Sequence, residues 1–310
     1  MGSGVGFGKT ILFGEHVVVY GLPAVAAAFG KKTVAEVADS KEFEFADNRP
    51  ETPGYKERKK AEIKRQLDAL LEYFDIPKNG ESIKIRLSGD LVCASGVGAS
   101  AALAASIARA ISDHKRLGLT DEQVNDAAYK AEKAGSGTPS GIDNTCSVYG
   151  GFIVFTKNLE GGPNKIETIK VDEPIQIVMA SSGITQTTKE VVADIRRLRE
   201  ENPEQYERIF SDYLRVFEKG LSAIKTGDNK KLGEMMDENQ KLLAEMTLSC
   251  PEIEEIIDAA KSAGAVGAKL TGTGRGGSVI ALTPGDELQQ KVAEAIEAKG
   301  YATLKTAIGV

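Results

Sequence analysis

Ala94-Ser95-Gly96-Val97-Gly98-Ala99-Ser100-Ala101-Ala102 is the stretch on which the fold turns. Before it, residues 82–87 alternate apolar and polar side chains and read as a strand; after it, residues 101–111 are rich in Ala and read as a helix. A strand, a run of small residues and a helix start make an anion cradle. The first-turn N–H groups have no intrahelical partner, and the helix dipole is positive there. The same residues equally suit a plain glycine turn before a packed helix, so the stretch alone leaves both readings open.

Composition narrows the field. At 310 residues the chain can hold one large or two medium domains around a substantial core. Its 41% hydrophobic and 27% charged residues are ordinary for a soluble enzyme. A formal charge of −6 excludes the broad basic surface of a general nucleic-acid binder. Any polyphosphate must therefore find its counter-charge locally, from a few lysines, helix N-termini and a metal ion. Cys93, Cys146 and Cys250 form no CxxC pair, and His16 and His114 are the two histidines, which argues against a zinc site. Reduced thiols in the cytoplasm are expected. No signal peptide and no bilayer-length apolar run are apparent, so no membrane partner is expected.

In chain order, residues 10–13 read as a short strand, 17–20 and 24–29 as further apolar runs, and 33–37 and 42–45 as strands of an antiparallel layer. Residues 56–73 read as an amphipathic helix whose charges form a solvated face. Thr120-Asp121-Glu122-Gln123 resembles a capping box opening a helix to about residue 134. A loop over 135–141 leads into a helix over 142–149, then strands over 152–155 and 166–171. Asp172-Glu173-Pro174 marks the most plausible seam, giving domains 1–173 and 174–310. Beyond it, the pattern predicts strands at 175–180, 266–270, 278–282 and 303–308. Helices are expected at 189–201, 206–225, 229–246, 251–263 and 287–299.

Three tempting motifs fail. Gly8-Lys9-Thr10 lacks the glycine a P-loop needs five positions earlier, where Ser3 stands, and no suitable strand is apparent around it. Gly96-x-Gly98-x-x-Ala101 matches a relaxed dinucleotide fingerprint, but the acids about 20 positions on fall in a helix rather than at a strand end. Gly98-Ala99-Ser100 grazes a nucleophile elbow, yet no histidine follows His114 to complete a triad. What remains is three small-residue loops with polar chemistry beside them. A fourth segment, Thr138-Pro139-Ser140-Gly141-Ile142-Asp143-Asn144, puts an acid where it could be a helix N-terminal charge or a working carboxylate.

These segments together carry a family resemblance. Gly8-Lys9-Thr10-Ile11-Leu12-Phe13-Gly14-Glu15-His16-Val17-Val18-Val19-Tyr20-Gly21 resembles the first motif of the galactokinase, homoserine kinase, mevalonate kinase and phosphomevalonate kinase (GHMP) superfamily. Gly96 to Ala102 resembles its second motif, and Lys269-Leu270-Thr271-Gly272-Thr273-Gly274-Arg275-Gly276-Gly277 its third. The order and separations are suitable, and the resemblance covers essentially the whole chain. Glu15-His16 followed by Val17-Val18-Val19-Tyr20-Gly21, with the loop 137–144, is most similar to the mevalonate kinase family. Ser136 and Phe7 depart from that family's usual His and Pro.

The resemblance implies an α+β, two-domain fold. Its N-terminal domain would be like domain 2 of ribosomal protein S5, its C-terminal domain ferredoxin-like with extra helices, and its active site would lie in the cleft between them. It implies ATP-dependent phosphorylation of the 5-hydroxyl of (R)-mevalonate in isoprenoid biosynthesis, with ATP and Mg2+ as cofactors, by a monomer or homodimer. Asp143 would be the base and Lys9 its electrostatic partner. Ser95, Gly96, Val97, Gly98, Ala99, Ser100, Ala101 and Gly274 would bind the nucleotide, and Ser100 and Glu132 the metal. Glu15, His16, Val19, Ser182, Gly183 and Thr185 would contact the substrate, with His16 donating to an oxygen of the acid. Arg275 could reach a phosphate or the substrate carboxylate, or stand in solvent. Other acceptors within the superfamily (phosphomevalonate, the mevalonate 3-hydroxyl, homoserine, a sugar) and a catalytically silent binding homologue are the alternatives. Intact Lys9, Ser100, Glu132 and Asp143 argue against silence.

Overall fold

The computed structural model describes residues 1–94, 96–137 and 139–310; Ser95 of the phosphate loop and Thr138 of the loop before Asp143 lie outside the described residues. The chain forms two compact units that interleave in sequence. One comprises Met1–Lys9 and Ala28–Gly150, the other Thr10–Ala27 and Gly151–Val310. Strands β1 (Gly2–Phe13) and β2 (Ala24–Ser40) pair with each other, and each contributes residues to both units.

In the first unit, β3 (Glu44–Asp47) is followed by helix α1 (Tyr55–Tyr73), strand β4 (Ser82–Gly89) and helices α2 (Ala99–His114), α3 (Asp121–Ser136) and α4 (Ile142–Tyr149). Strand β4 is antiparallel to β2, and β3 is parallel to β4. Alternating Ile83, Ile85 and Leu87 face a core completed by Leu67, Leu70 and Leu71 of α1, Leu103, Ile107 and Ile111 of α2 and Val124, Ala127 and Ala131 of α3. The apolar stripe of α1 is the period-3.6 pattern read from sequence. The capping box at Thr120 is present, with Gln123 N–H donating to Thr120 Oγ1.

Strand β1 starts earlier than its apolar content indicates. Glycines at positions 2, 4 and 6 alternate with period 2 and face α2. A Cβ on them would lie 2.3 Å from His114 N, 2.3 Å from Ser106 O and 2.2 Å from Ala102 O. Backbone therefore packs on backbone. On the helix side, Ala102, Ser106 and Ala110 supply the small face this requires. Lys9 consequently sits inside a strand, not in a P-loop. The P-loop reading fails, though a strand does run through the site.

The second unit contains β5 (Phe152–Thr156), antiparallel to Ala24–Ala27 of β2 and to β6 (Lys165–Ile169). It continues through β7 (Ile175–Ser181), helices α5 (Thr188–Glu201), α6 (Pro203–Thr226), α7 (Asn229–Glu245) and α8 (Pro251–Ser262), then β8 (Gly267–Thr271), β9 (Ser278–Leu282), α9 (Asp286–Glu297) and β10 (Ala302–Ile308). An antiparallel sheet in the order β10-β7-β9-β8 carries α8 and α9 packed against it. The apolar run at Val17–Tyr20 is a 3-10 turn. Its entry residue, His16, has φ +61°, outside what an extended strand allows. Among the described residues no helix is long and apolar enough to cross a membrane, and all three cysteines are free thiols.

Gly6→Ala should be costly, because its methyl group meets the Ala102 carbonyl rather than a side chain that can move. Overpacking of this kind typically costs about 1–3 kcal/mol. Denaturant unfolding of the variant checks this, and unchanged stability would mean that β1 and α2 are not in such close register.

Candidate active site

The first unit gathers four of the sequence-singled residues. Lys9 Nζ lies 3.2 Å from Asp143 Oδ1, with Lys9 almost buried and the Asp143 side chain 38% exposed. Asp143 stands in the first turn of α4, where the helix dipole favours a carboxylate. Lys9 is held from its backbone as well, since its N–H donates to Val97 O (2.9 Å). Gly98 makes that approach possible: at φ +73°, its Cβ would stand 2.7 Å from Lys9 Cγ. Gly98 then caps α2 with no side-chain acceptor among the described residues, which leaves the first-turn N–H groups around Ala99, Ser100 and Ala101 available to an anion. Gly96 also has positive φ, and Val97 between the two glycines is buried.

Ser100 Oγ donates to Glu132 Oε1 at 2.6 Å. Burial pushes the Glu132 carboxyl up to about 7, and the Asp143 charge adds to this; hydrogen bonds from Ser100 and Gln66 and the Lys9 charge act the other way. One buried carboxylate and one hydroxyl suit Mg2+, which keeps waters and phosphate oxygens as its other ligands. Among the described residues no three His, Cys, Asp or Glu side chains form a cage sufficient by themselves. The fit is thus to a cation that arrives with its own oxygen ligands.

Sequence reasoning missed two groups here. Gln66 of α1, placed on a helix read for its solvated charges, is buried and donates to both Ser100 Oγ and Glu132 Oε1. Its signal was a polar residue beside Leu67 on the apolar stripe. Arg49 is buried, paired to Asp47, and donates to Ala99 O (2.9 Å) at the start of α2. Burial opposes its charge and Asp47 supports it, leaving its pKa raised. No local pattern announced it.

The second unit holds the other set. Glu15 and Lys269 form a fully buried ion pair, and Lys269 Nζ also donates to Leu270 O (2.6 Å). Burial pulls the Lys269 pKa down while Glu15 supports its charge. Lys269 was quoted in the third motif but given no role. His16 Nε2 lies 2.6 Å from Thr273 O; a carbonyl only accepts, so Nε2 carries the proton. Burial lowers the His16 pKa, and buried Nδ1 has no donor among the described residues. The expected donation from His16 is thus spent on Thr273, and the ring offers an acceptor instead.

Ser182 donates from N–H and Oγ to Gly277 O (2.8 and 2.9 Å), and Gly277 N–H donates to Ile184 O (2.7 Å). The 182–185 loop is thereby tied to the glycine loop, with Gly183 and Thr185 exposed and Val19 half-buried. A Cβ on Gly274 would stand 2.8 Å from Leu248 O. Arg275 is part-exposed but tethered. It pairs with Asp194 (2.6 Å) and donates to Thr247 O and Oγ1. Ser136 donates to Glu132 O, closing the last turn of α3.

The fold and these residues define a class. The family description "GHMP kinases N terminal domain" matches residues 61–151 and "GHMP kinases C terminal" matches residues 221–302. The chain is 35% identical to the mevalonate kinases of Thermococcus gammatolerans and Pyrococcus abyssi, over 97% of its own length and 94% and 93% of theirs. It superposes on the crystal structure of L. major mevalonate kinase in complex with R-mevalonate with a TM-score of 0.94, at 33% identity, covering 99% of this chain and 96% of that one. The chain belongs to the GHMP kinase family, in its mevalonate kinase branch. It is an enzyme with that family's α+β two-domain fold.

A carboxyl whose pKa is about 7 when folded and ordinary when unfolded binds more protons in the native state between those values. Stability therefore falls as pH rises from about 4.5 to about 7. The ionised form costs on the order of 3 kcal/mol above that window. Glu132→Gln, without nucleotide or metal, should raise Tm at pH 8 and change it little at pH 5. Equal effects at the two pH values would show that Glu132 is not held in this way.

Proposed function

We propose that the chain transfers the γ-phosphoryl group of ATP to the 5-hydroxyl of (R)-mevalonate, giving 5-phosphomevalonate and ADP. The observation that carries this is the Lys9–Asp143 pair, beside an open helix N-terminus, in a chain whose full-length relatives are mevalonate kinases. Phosphoryl transfer asks a protein mainly for positioning and charge stabilisation. Asp143 accepts the hydroxyl proton as the oxygen attacks. Lys9 supports the charge that develops on that oxygen and on the transferring group. The loop 95–98 and the N–H groups of Ala99, Ser100 and Ala101 receive the β- and γ-phosphates, with Gly274 of the third motif as a further nucleotide contact.

Ser100 and Glu132 are the residues that would hold Mg2+. The ion, when bound, neutralises charge on the phosphate oxygens. Glu15, His16, Val19, Ser182, Gly183 and Thr185 are assigned to the acceptor. His16 serves it through Nδ1, which suits a hydroxyl, while Lys269 pairs with Glu15 and holds it in place. Cytoplasmic location, and a monomer or homodimer, complete the reading.

ADP release measured against mevalonate, phosphomevalonate, homoserine and galactose tests the acceptor. Turnover is expected with mevalonate alone, and activity with a different member of the panel would replace the assignment. Asp143→Asn should lower kcat by about 10²–10⁴-fold, the usual range for lost proton-transfer assistance, while nucleotide binding persists. Lys9→Met should lose at least as much. Near-normal kcat in Asp143→Asn removes that residue as the base.

A further inference from the structure

We propose that Gln66 is a positioning residue of the metal–nucleotide site, fixing Ser100 and Glu132 so that their remaining lone pairs face the cation. The inference rests on the reading of those two residues as the Mg2+ ligands. Gln66 is 1% exposed. Its Nε2 donates to Ser100 Oγ (2.5 Å) and to Glu132 Oε1 (2.8 Å), while Ser100 Oγ–H donates to the same Oε1 (2.6 Å). The three groups form a closed triangle.

Left alone, a serine hydroxyl rotates freely and a glutamate carboxylate turns about its last torsion. The carboxamide fork removes both freedoms. It occupies one lone pair of the hydroxyl and, with the serine proton, saturates the Oε1 edge of the carboxylate. Such outer partners typically account for about 10–100-fold in metal affinity or activity. Gln66 Oε1 is buried with no donor among the described residues, which leaves an acceptor for a donor arriving with the ligand.

The surrounding helices are shaped to this side chain. Gly135 lies in the last turn of α3. A Cβ there would stand 2.9 Å from Gln66 Cγ and 3.1 Å from Nε2. The missing methyl group is the space the carboxamide occupies. The neighbouring Arg65 donates to Ala134 O (2.9 Å) and Gly135 O (2.6 Å), fastening α1 to the end of α3 beside Glu132. A buried amide that served packing alone would be better replaced by an apolar residue, since burying polar groups costs free energy unless they are paired.

The test uses the full chain with Mn2+ and a non-hydrolysable ATP analogue, following metal binding by electron paramagnetic resonance and calorimetry. Mevalonate KM and kcat are measured alongside. Gln66→Leu should weaken Mn2+ binding roughly 10–100-fold and leave mevalonate KM unchanged. Gly135→Ala touches no proposed ligand, and it should weaken Mn2+ binding in the same direction by crowding the carboxamide, with a modest loss in melting temperature. Wild-type Mn2+ affinity in Gln66→Leu, with loss in Glu132→Gln, overturns the role of Gln66 and spares the metal assignment. Wild-type affinity in Glu132→Gln overturns the metal assignment itself. Should Gln66→Leu fail to fold, Gly135→Ala carries the decision, and wild-type affinity there overturns the proposal.

Discussion

The first unit depends on the backbone-to-backbone approach of β1 to α2. Glycines at 2, 4 and 6 meet the carbonyls and amides of Ala102, Ser106 and His114 at distances that admit no side chain. Glycine is a poor strand former, and it is tolerated here because another backbone must come close. The consequence appears three residues further on. With β1 pressed along α2, Lys9 reaches the N-terminus of that helix, where its N–H meets Val97 O and its stem lies on Gly98. One packing constraint thus brings the motif-one lysine to the motif-two loop, and Asp143 at the start of α4 completes the pair.

Buried charge in both units argues for position over stability. The Glu15–Lys269 pair is wholly removed from solvent. Desolvation of such a pair commonly matches or exceeds its Coulomb gain, and an apolar replacement would often be no less stable. Glu132 is similar: with its pKa pushed up to about 7, its ionised form is held against the preference of its surroundings. Folds keep such groups where a charge must stand at a fixed point, and here they fall within the three motifs or directly against them.

Much of this was legible in the sequence, for physical reasons that differ by residue. Element existence followed from periodicity, as for Leu67, Leu70 and Leu71 on α1 and the alternation from Ile83 to Leu87. The local chemistry of the phosphate loop followed from small residues at a helix start. That Lys9 belongs with Asp143 came from the family resemblance, because residues so far apart in sequence carry no spacing signal. Besides Arg49, which no local pattern announces, three features escaped. The early start of β1 was hidden by glycine, which weakens a strand pattern even when its period is 2. Gln66 was hidden by the charges around it, since α1 reads as solvated until one asks why an amide interrupts its apolar stripe. Lys269 was hidden because a single lysine in a buried strand finds its partner only in three dimensions, at Glu15 in the first motif.

The distribution of committed charge separates what the two units can do. In the second, Lys269 is engaged with Glu15, Arg275 with Asp194 and Thr247, and His16 is held towards its neutral form by burial with its proton on Thr273 O. In the first, Lys9 pairs with a part-exposed carboxylate, and the α2 N-terminus has no side-chain cap among the described residues. On the proposed reading, an incoming phosphoryl group would meet Lys9 and the start of α2. The second unit's motif residues offer shape, the Glu15 carboxyl held by Lys269 and neutral polar groups such as His16 Nδ1. Transition-state charge is best met by preorganised donors and cations. Discrimination between small hydroxylated acceptors is best made by neutral hydrogen-bonding groups that a wrong ligand would leave unpaired. On the proposed reading, the two sets of side chains would divide along that line, Glu15 excepted.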